Sequence, residues 1–282
     1  MKLIVDSGST KTSWLLQRSG EESPFLVHTA GLNPVRDHDD TLQAVICEAS
    51  TLLHLESRSK SPLRDIHFYG AGCIPPFSER IRLLLERTFP QATIHVESDL
   101  LGAARALCRN DEGIACILGT GSNSCLYDGK SIVQNVSPLG WILGDEGSGA
   151  VLGKHLVSDL LKGQLPIVLR QAFEQRFSLT QTDIIEAVYR QPQPNRFLAS
   201  LVPFLTEHRG EDCIHDFLIK HFRAFFVRNV TTYQRYDLPV HFVGGIAYQF
   251  ENELRDAAHS ENYKVGHILR NPIESLAKFH SE

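Results

Sequence analysis

The sequence predicts an α/β protein made of two similar lobes with a cleft between them. Three observations carry that expectation. Short apolar runs of strand length alternate with stretches of helical periodicity. A strand, a glycine-containing turn and a second strand open the chain near residue 6, and the same pattern restarts near residue 113. No Ser/Gly- or Pro-rich tether separates the halves, so helices join the lobes, with a boundary near residues 105–113.

Taken in order, Leu3, Ile4 and Val5 form a strand that ends in Asp-Ser-Gly-Ser-Thr-Lys-Thr, and Ser13 to Gln17 form its return strand. Leu42, Val45, Ile46, Ala49, Leu52 and Leu53 recur at helical spacing over 40–55. Residues 66–72 read as a buried strand ending in glycines, and 79–89 as a helix stopped by Pro90. Residues 92–99 are a strand running into a helix. At 113–129 the strand–turn–strand unit returns, and placing Gly8 over Gly121 and Ser9 over Ser122 superposes the two hairpins as an internal duplication. Helical periodicity dominates 150–235, a strand follows at 239–245, and Pro272 to His280 read as a terminal helix.

Bulk properties narrow the function. The 282 residues suffice for two domains, and 42% apolar residues can bury a large core. The net charge of −5 and the absence of a basic block argue against a nucleic-acid partner. Cys47, Cys73, Cys108, Cys116, Cys125 and Cys213 form no Cys-x-x-Cys pair, fit none of the usual zinc templates and read as reduced, packed thiols. The N-terminal apolar run is too short for a secretory signal and is broken by Asp6, and no run spans a bilayer, so a cytoplasmic protein with no membrane partner is expected. His215 and His221 lie in a long predicted helix and read as solvated or capped, whereas Phe222, Phe225 and Phe226 read as core.

Three turns carry candidate chemistry. In the first, small residues leave backbone N–H groups open to a phosphate at Gly8; Ser9, Thr10 and Thr12 add hydroxyls and Lys11 a point charge. Asp6 is placed to hold Mg²⁺ through water, since Mg²⁺ keeps most of its waters. The second turn, Gly119-Thr120-Gly121-Ser122-Asn123, has the same chemistry without the acid; it lacks the Gly-Lys-Ser/Thr of a Walker A loop. The third, Gly244-Gly245 after a strand, leaves room for a flat group such as adenosine. A polar hairpin turn and a tight strand–helix turn are the competing structural explanations.

These motifs, in this order, resemble the phosphate-1, phosphate-2 and adenosine motifs of the actin/hexokinase/Hsp70 superfamily. Within it the chain is similar to the N-acetylglucosamine kinase family, grouped with BadF/BadG/BcrA/BcrD-type ATPases. The resemblance implies two ribonuclease H-like (actin-like ATPase) lobes, with mixed sheets flanked by helices, at 1–110 and 111–267, and a C-terminal helix at about 268–282 packed back on the first lobe. It implies ATP and Mg²⁺ as the phosphoryl donor and its metal, an amino-sugar acceptor phosphorylated on the 6-hydroxyl, and a homodimer through the second lobe. Gly31-Leu32-Asn33-Pro34 is similar to the family's sugar loop, where the Asn contacts hydroxyls. Asp99, in Glu97-Ser98-Asp99, matches the catalytic base, and a helix dipole would keep it ionised. Trp141 and Asp145, in the Gly-Trp…Gly-Asp-Glu-Gly-Ser segment, match the lining of the sugar site, with Ser122 and Asn123 beside them. A helix cap at Asp99, an acidic cap at Asp145 and Glu146, and a core position for Trp141 remain open. The chain departs from the family in Ser7 and Ser9, where many relatives carry glycines, and in its short length. Two other functions share the fold: an ATPase that activates a partner reductase or dehydratase, and a non-catalytic ATP or sugar sensor.

Overall fold

The computed structural model describes residues 1–18, 24–55 and 62–281. The chain divides into two compact units: Met1–Asp111 with Gly129–Ser131 and Asn271–Glu282, and Glu112–Asp128 with Ile132–Arg270.

The first unit is built on a five-stranded sheet of order β3-β2-β1-β4-β5: β1 (Lys2–Ser7), β2 (Lys11–Gln17), β3 (Phe25–Ala30), β4 (Asp65–Gly70) and β5 (Thr93–Ser98). β1 to β3 are antiparallel, and β4 and β5 run parallel to β1. The parallel pairs need crossovers, which α1 (Asp39–Leu52) and α2 (Phe77–Thr88) supply. α3 (Asp99–Cys108) follows β5 directly.

Both faces of this sheet are covered, which is why its central strand reads as an unbroken apolar run. Leu3 and Val5 join the core that includes Leu42 and Ile46 of α1 and Ile81 and Leu85 of α2. Ile4 points the other way and packs with Leu15, Tyr69 and Ala106 against Ile273, Leu276 and Ala277 of the terminal helix, Ile273–Phe279.

The second unit repeats the plan. Its sheet has the order β10-β9-β6-β7-β8: β6 (Glu112–Leu118), β7 (Ser122–Asp128), β8 (Ile132–Val136), β9 (Val240–Val243) and β10 (Val265–Leu269). The directions match strand for strand: β6 to β8 antiparallel, β9 and β10 parallel to β6. The helices are α4 (Gly140–Leu143), α5 (Gly149–Leu161), α6 (Ile167–Phe177), α7 (Gln181–Tyr189), α8 (Pro194–Ser200), α9 (Pro203–Glu207), α10 (Asp212–Arg228), α11 (Gly245–Gln249) and α12 (Glu251–Ser260), with the terminal helix as α13. Phe222, Phe225, Phe226 and Phe242 are fully buried in its core.

Three sequence readings change. The duplication is real in topology, but matching the ends of the first strands, Ser7 and Leu118, pairs Gly8 with Gly119 and not with Gly121. The first hairpin closes at Ser7 and Thr12 and the second at Leu118 and Ser122, so the turns differ in length and glycine is a poor anchor for the alignment. His221 is buried and stacks on His155 at 4.4 Å, because it lies on the apolar face of α10 with Phe217, Leu218 and Phe222; only His215 meets solvent. The edge strands β3, β8 and β10 escape the sequence reading. An edge strand can leave Phe25, Leu26 and Val133 largely exposed, which erases the alternation that marks a half-buried strand.

The thiols of Cys73, Cys108, Cys116 and Cys125 are buried, Cys47 is exposed, and all six cysteines are unbridged. Among the described residues no helix is long and apolar enough to cross a membrane.

Candidate active site

In the first unit the candidate residues gather at the carboxyl ends of parallel strands, where open α/β sheets bind ligands. Asp6, Tyr69 and Glu97 stand in register across β1, β4 and β5, followed by Ser7, Gly70 and Ser98. The loop after β1 is closed by Gly8 N–H donating to the Lys11 carbonyl at 3.0 Å, and it leaves Thr10 and Lys11 exposed.

That loop is bound to the segment carrying Asn33. Gly31 N–H donates to the Thr10 carbonyl at 3.1 Å. Ser7 Oγ accepts from Leu32 N–H at 3.0 Å and lies 2.7 Å from Thr12 Oγ1, which donates to the Ala30 carbonyl at 2.9 Å. Ser7 and Thr12 are both fully buried. The expected phosphate role of the Thr12 hydroxyl is therefore corrected: it is used inside the hairpin, because strand alternation turns it away from the loop surface. Ser7, which the sequence offers only as a departure from glycine, ties the two loops together. Asn33 Oδ1 accepts from Val35 N–H at 3.0 Å and its own N–H donates to Asp37 at 3.0 Å. Gly72, at φ +76°, backs it: a Cβ there would lie 2.8 Å from Asn33 Oδ1.

Asp99 is the first residue of α3, and it is not the cap. Ser98 takes that role, accepting Leu101 N–H at 3.2 Å, while Asp99 Oδ1 accepts Leu100 N–H at 2.9 Å. Burial pushes the Asp99 carboxyl up to about 6, against the lowering by the Leu100 N–H. Burial outweighs the helix end in setting the pKa, yet a carboxyl near 6 is still mainly ionised at neutral pH. Asp6 is pushed up to about 7, by burial and then by the charge of Asp99, with Lys11 pulling the other way. Two half-buried carboxylates that repel each other are a donor set that a hydrated divalent cation would relieve, so the residues fit Mg²⁺.

In the second unit the loop after β6 is held from three sides. Gly119 N–H donates to the Gly121 carbonyl at 2.9 Å. The first N–H groups of α5 hold its carbonyls: Gly149 to Gly119 at 2.8 Å and Ala150 to Thr120 at 3.1 Å. Asp145 Oδ1 accepts Ser122 N–H at 3.3 Å. Among the described residues the N–H groups of Thr120 and Gly121 have no acceptor.

Asp145 and Glu146 are not caps, since Ser148 caps α5 through Val151 N–H at 3.3 Å. Glu146 pairs with Arg228 and accepts from Asn229 at 3.4 Å. Burial pushes the Asp145 carboxyl up to about 6; the Ser122 N–H pulls down and the Glu146 charge pushes up. Trp141 is half-buried against the core, and its carbonyl accepts from Lys154 Nζ at 3.0 Å. Asn123 Oδ1 is taken by Ser124 N–H and by Asn135, both at 2.9 Å.

The two glycines after β9 divide between the readings offered for them. Gly244, at φ +131°, is required by the fold, because a Cβ would lie 2.1 Å from the Leu118 carbonyl oxygen. A Cβ on Gly245 would meet nothing within 4 Å, which leaves the open space a flat group needs. The structure thus gathers Asp6, Gly8, Ser9, Thr10, Lys11, Asn33 and Asp99 in the first unit and Gly119, Thr120, Gly121, Ser122, Asp145, Gly244 and Gly245 in the second.

No protein-family model matches the chain, and no curated protein matches it. Among solved structures, it is similar to a protein of Porphyromonas gingivalis described as a candidate N-acetylglucosamine kinase, with 45% identity over 99% of this chain and 98% of that one, at a TM-score of 0.93. A Chromobacterium violaceum protein described in the same way shares 17% identity over 99% and 98% of the chains, with a TM-score of 0.67. A ROK-family glucokinase of Streptomyces griseus, solved with glucose and AMPPNP, shares 14% over 98% of each chain, with a TM-score of 0.53. The last two report the fold alone.

Proposed function

Since the chain belongs to the same family of actin-like sugar kinases as the Porphyromonas gingivalis protein, we propose that it transfers the γ-phosphoryl group of ATP to a hydroxyl of N-acetylglucosamine or a closely related amino sugar. The 45% identity over the full length carries this reading. The BadF/BadG grouping, the 6-hydroxyl as acceptor, a homodimer and a cytoplasmic location are further parts of the same proposal.

In this reading Asp99 is the base. The sugar oxygen forms a bond to the γ-phosphorus, its proton passes to the Asp99 carboxylate, and the bond between the γ-phosphorus and the bridging oxygen of ADP breaks. A carboxyl held near 6 is better matched to that task at neutral pH than an ordinary one, because it is ionised yet retains proton affinity. Asn33 orients the acceptor. The loops Gly8–Lys11 and Gly119–Ser122 supply N–H and hydroxyl donors to the phosphates, with Lys11 as the adjacent charge, and Gly245 leaves room for the adenosine. Asp6 would hold Mg²⁺ through water, and the bound ion would neutralise the polyphosphate charge. The cysteines offer no support for a partner-activating ATPase: four of the six are buried in the cores.

The test is an ADP-release assay with Mg·ATP and N-acetylglucosamine, N-acetylmuramic acid, N-acetylmannosamine, glucosamine and glucose. Turnover on one N-acetyl sugar, lost without Mg²⁺, is expected. Nucleotide binding with no turnover on any of the five would favour the sensor or partner-activating function.

A further inference from the structure

We propose that Asp145 is a positioning residue that masks part of the second unit's phosphate loop until a sugar claims its carboxylate. Without sugar it covers the Ser122 N–H; a sugar hydroxyl that draws the carboxylate away uncovers that N–H for a nucleotide phosphate. The inference rests on the sugar-kinase reading and concerns the order in which the two substrates engage.

The geometry points to a side chain with one weak partner and a fixed base. Ser122 N–H to Asp145 Oδ1 is 3.3 Å, well beyond the 2.7–2.9 Å usual for a hydrogen bond to a charged acceptor, so a better-placed donor displaces it easily. The backbone of Asp145 cannot follow its side chain. Its N–H donates to the Pro138 carbonyl at 2.9 Å, and its carbonyl accepts from Ser148 N–H at 3.0 Å. It is held at φ +53°, a conformation costly for a residue with a Cβ. Gly144 before it is packed so closely that a Cβ would lie 2.1 Å from the Pro138 carbonyl oxygen. Movement is therefore confined to rotation of the carboxylate about the side-chain bonds.

The masked donor matters because of its neighbours. Thr120 and Gly121 N–H have no acceptor among the described residues, and Ser122 N–H is the next donor along the same loop. Gly121 lets the carboxylate approach, since a Cβ there would stand 3.1 Å from Asp145 Oδ2. A carboxylate held over this loop both occupies a donor and repels a phosphate. A sugar that removes it improves nucleotide binding, and by linkage the nucleotide improves sugar binding by the same factor. Before a sugar arrives the loop is incomplete, which limits hydrolysis of ATP by water.

The experiment is a titration with magnesium β,γ-imido-ATP, with and without saturating N-acetylglucosamine. In the wild type the sugar tightens nucleotide binding about tenfold, within the usual range of coupled sites. In Asp145→Ala the N–H is always uncovered, so the nucleotide binds about tenfold tighter without sugar, and adding sugar changes nothing. Asp145→Asn removes the charge, and with it the repulsion, but keeps an oxygen that accepts the Ser122 N–H, so its sugar-free affinity falls between those of wild type and Asp145→Ala. Asp145→Ala binding no tighter than wild type without sugar, or both variants tightening equally, overturns the proposal. If Asp145→Ala does not fold, the wild-type Ser122 amide proton is followed by NMR as N-acetylglucosamine alone is added. An upfield shift is expected on losing the charged acceptor, and an unmoved resonance with sugar bound overturns the proposal. A protein that neither binds nor phosphorylates any sugar of the panel refutes the kinase reading, and the sugar-free Asp145→Ala titration then still judges the mask.

Discussion

Gly31 lies against Gly8 so closely that a Cβ on residue 31 would stand 2.4 Å from the Gly8 carbonyl oxygen, and 2.9 Å from that of Ser9. The loop that carries Asn33 is thus built on the back of the Gly8–Lys11 loop. Gly31→Ala should push the two apart by several tenths of an ångström. On the proposed roles of the two loops, in which one holds the sugar and the other a phosphate, kcat/KM should fall about ten- to hundredfold. Steady-state kinetics with both substrates varied would check this; a change confined to one substrate would mean that the loops are independent.

In the proposed mechanism Asp99 takes the proton of the attacking hydroxyl. Asp99→Asn should lower kcat by about 10²–10⁴-fold, the usual contribution of a positioned base, with sugar binding retained. Because Ser98 and not Asp99 caps α3, the variant should keep the wild-type melting temperature or exceed it. Measuring ADP release beside sugar affinity separates the two effects, and turnover close to wild type would remove Asp99 from its assigned role.

Stability should pay for this chemistry at neutral pH. Asp6, Asp99 and Asp145 are held up to about 7, 6 and 6, above the ordinary 3.8. An acid whose folded pKa is raised binds its proton more tightly when folded. Its protonated form stabilises the fold at low pH, and that stabilisation is lost as pH rises through the folded value. Replacing each by Asn should therefore raise the melting temperature of the ligand-free protein by a few degrees at pH 7.5, with a gain that shrinks toward pH 5. Buried histidines act in the opposite sense: His67 and His241 are pushed down to about 4 by burial, and lose stability as pH falls below their ordinary 6.5. Comparing each variant with wild type at the same pH cancels their contribution. A gain that grows on acidification would contradict the assignment.

The two glycines of the β9–α11 turn should separate. Gly244→Ala forces a Cβ onto the Leu118 carbonyl at a strained φ and should cost about 1–3 kcal/mol in urea unfolding. Gly245→Ala meets open space, so its stability should stay within about 0.5 kcal/mol of wild type while nucleotide affinity falls. Equal affinity in Gly245→Ala and wild type would place the adenosine elsewhere.

Much of this molecule could be read before it folded. Leu3, Ile4 and Val5 announce a strand covered on both faces, and the Asp6 and Gly119 turns announce two copies of one unit. Both signals are local, since they depend on residues adjacent in the chain. Ser98 and Asp99 illustrate the limit: two polar residues at a helix start look alike in sequence, and only the hydrogen bond to Leu101 decides which is the cap. Thr12 illustrates it again, because a hydroxyl within a phosphate-like motif turns inward to Ala30.

The sequence by itself determined the α/β class, the duplicated plan and the residue types of the candidate site, because hydrophobic period and turn chemistry act over a few neighbours. Only the tertiary structure decided which of these groups the fold itself uses. Ser7 reaching Leu32, Gly31 against Gly8, Gly244 against Leu118 and Asp145 over Ser122 all join residues distant in the chain. So do the raised carboxyls, whose burial and mutual repulsion arise only when the strands bring Asp6 and Asp99 together.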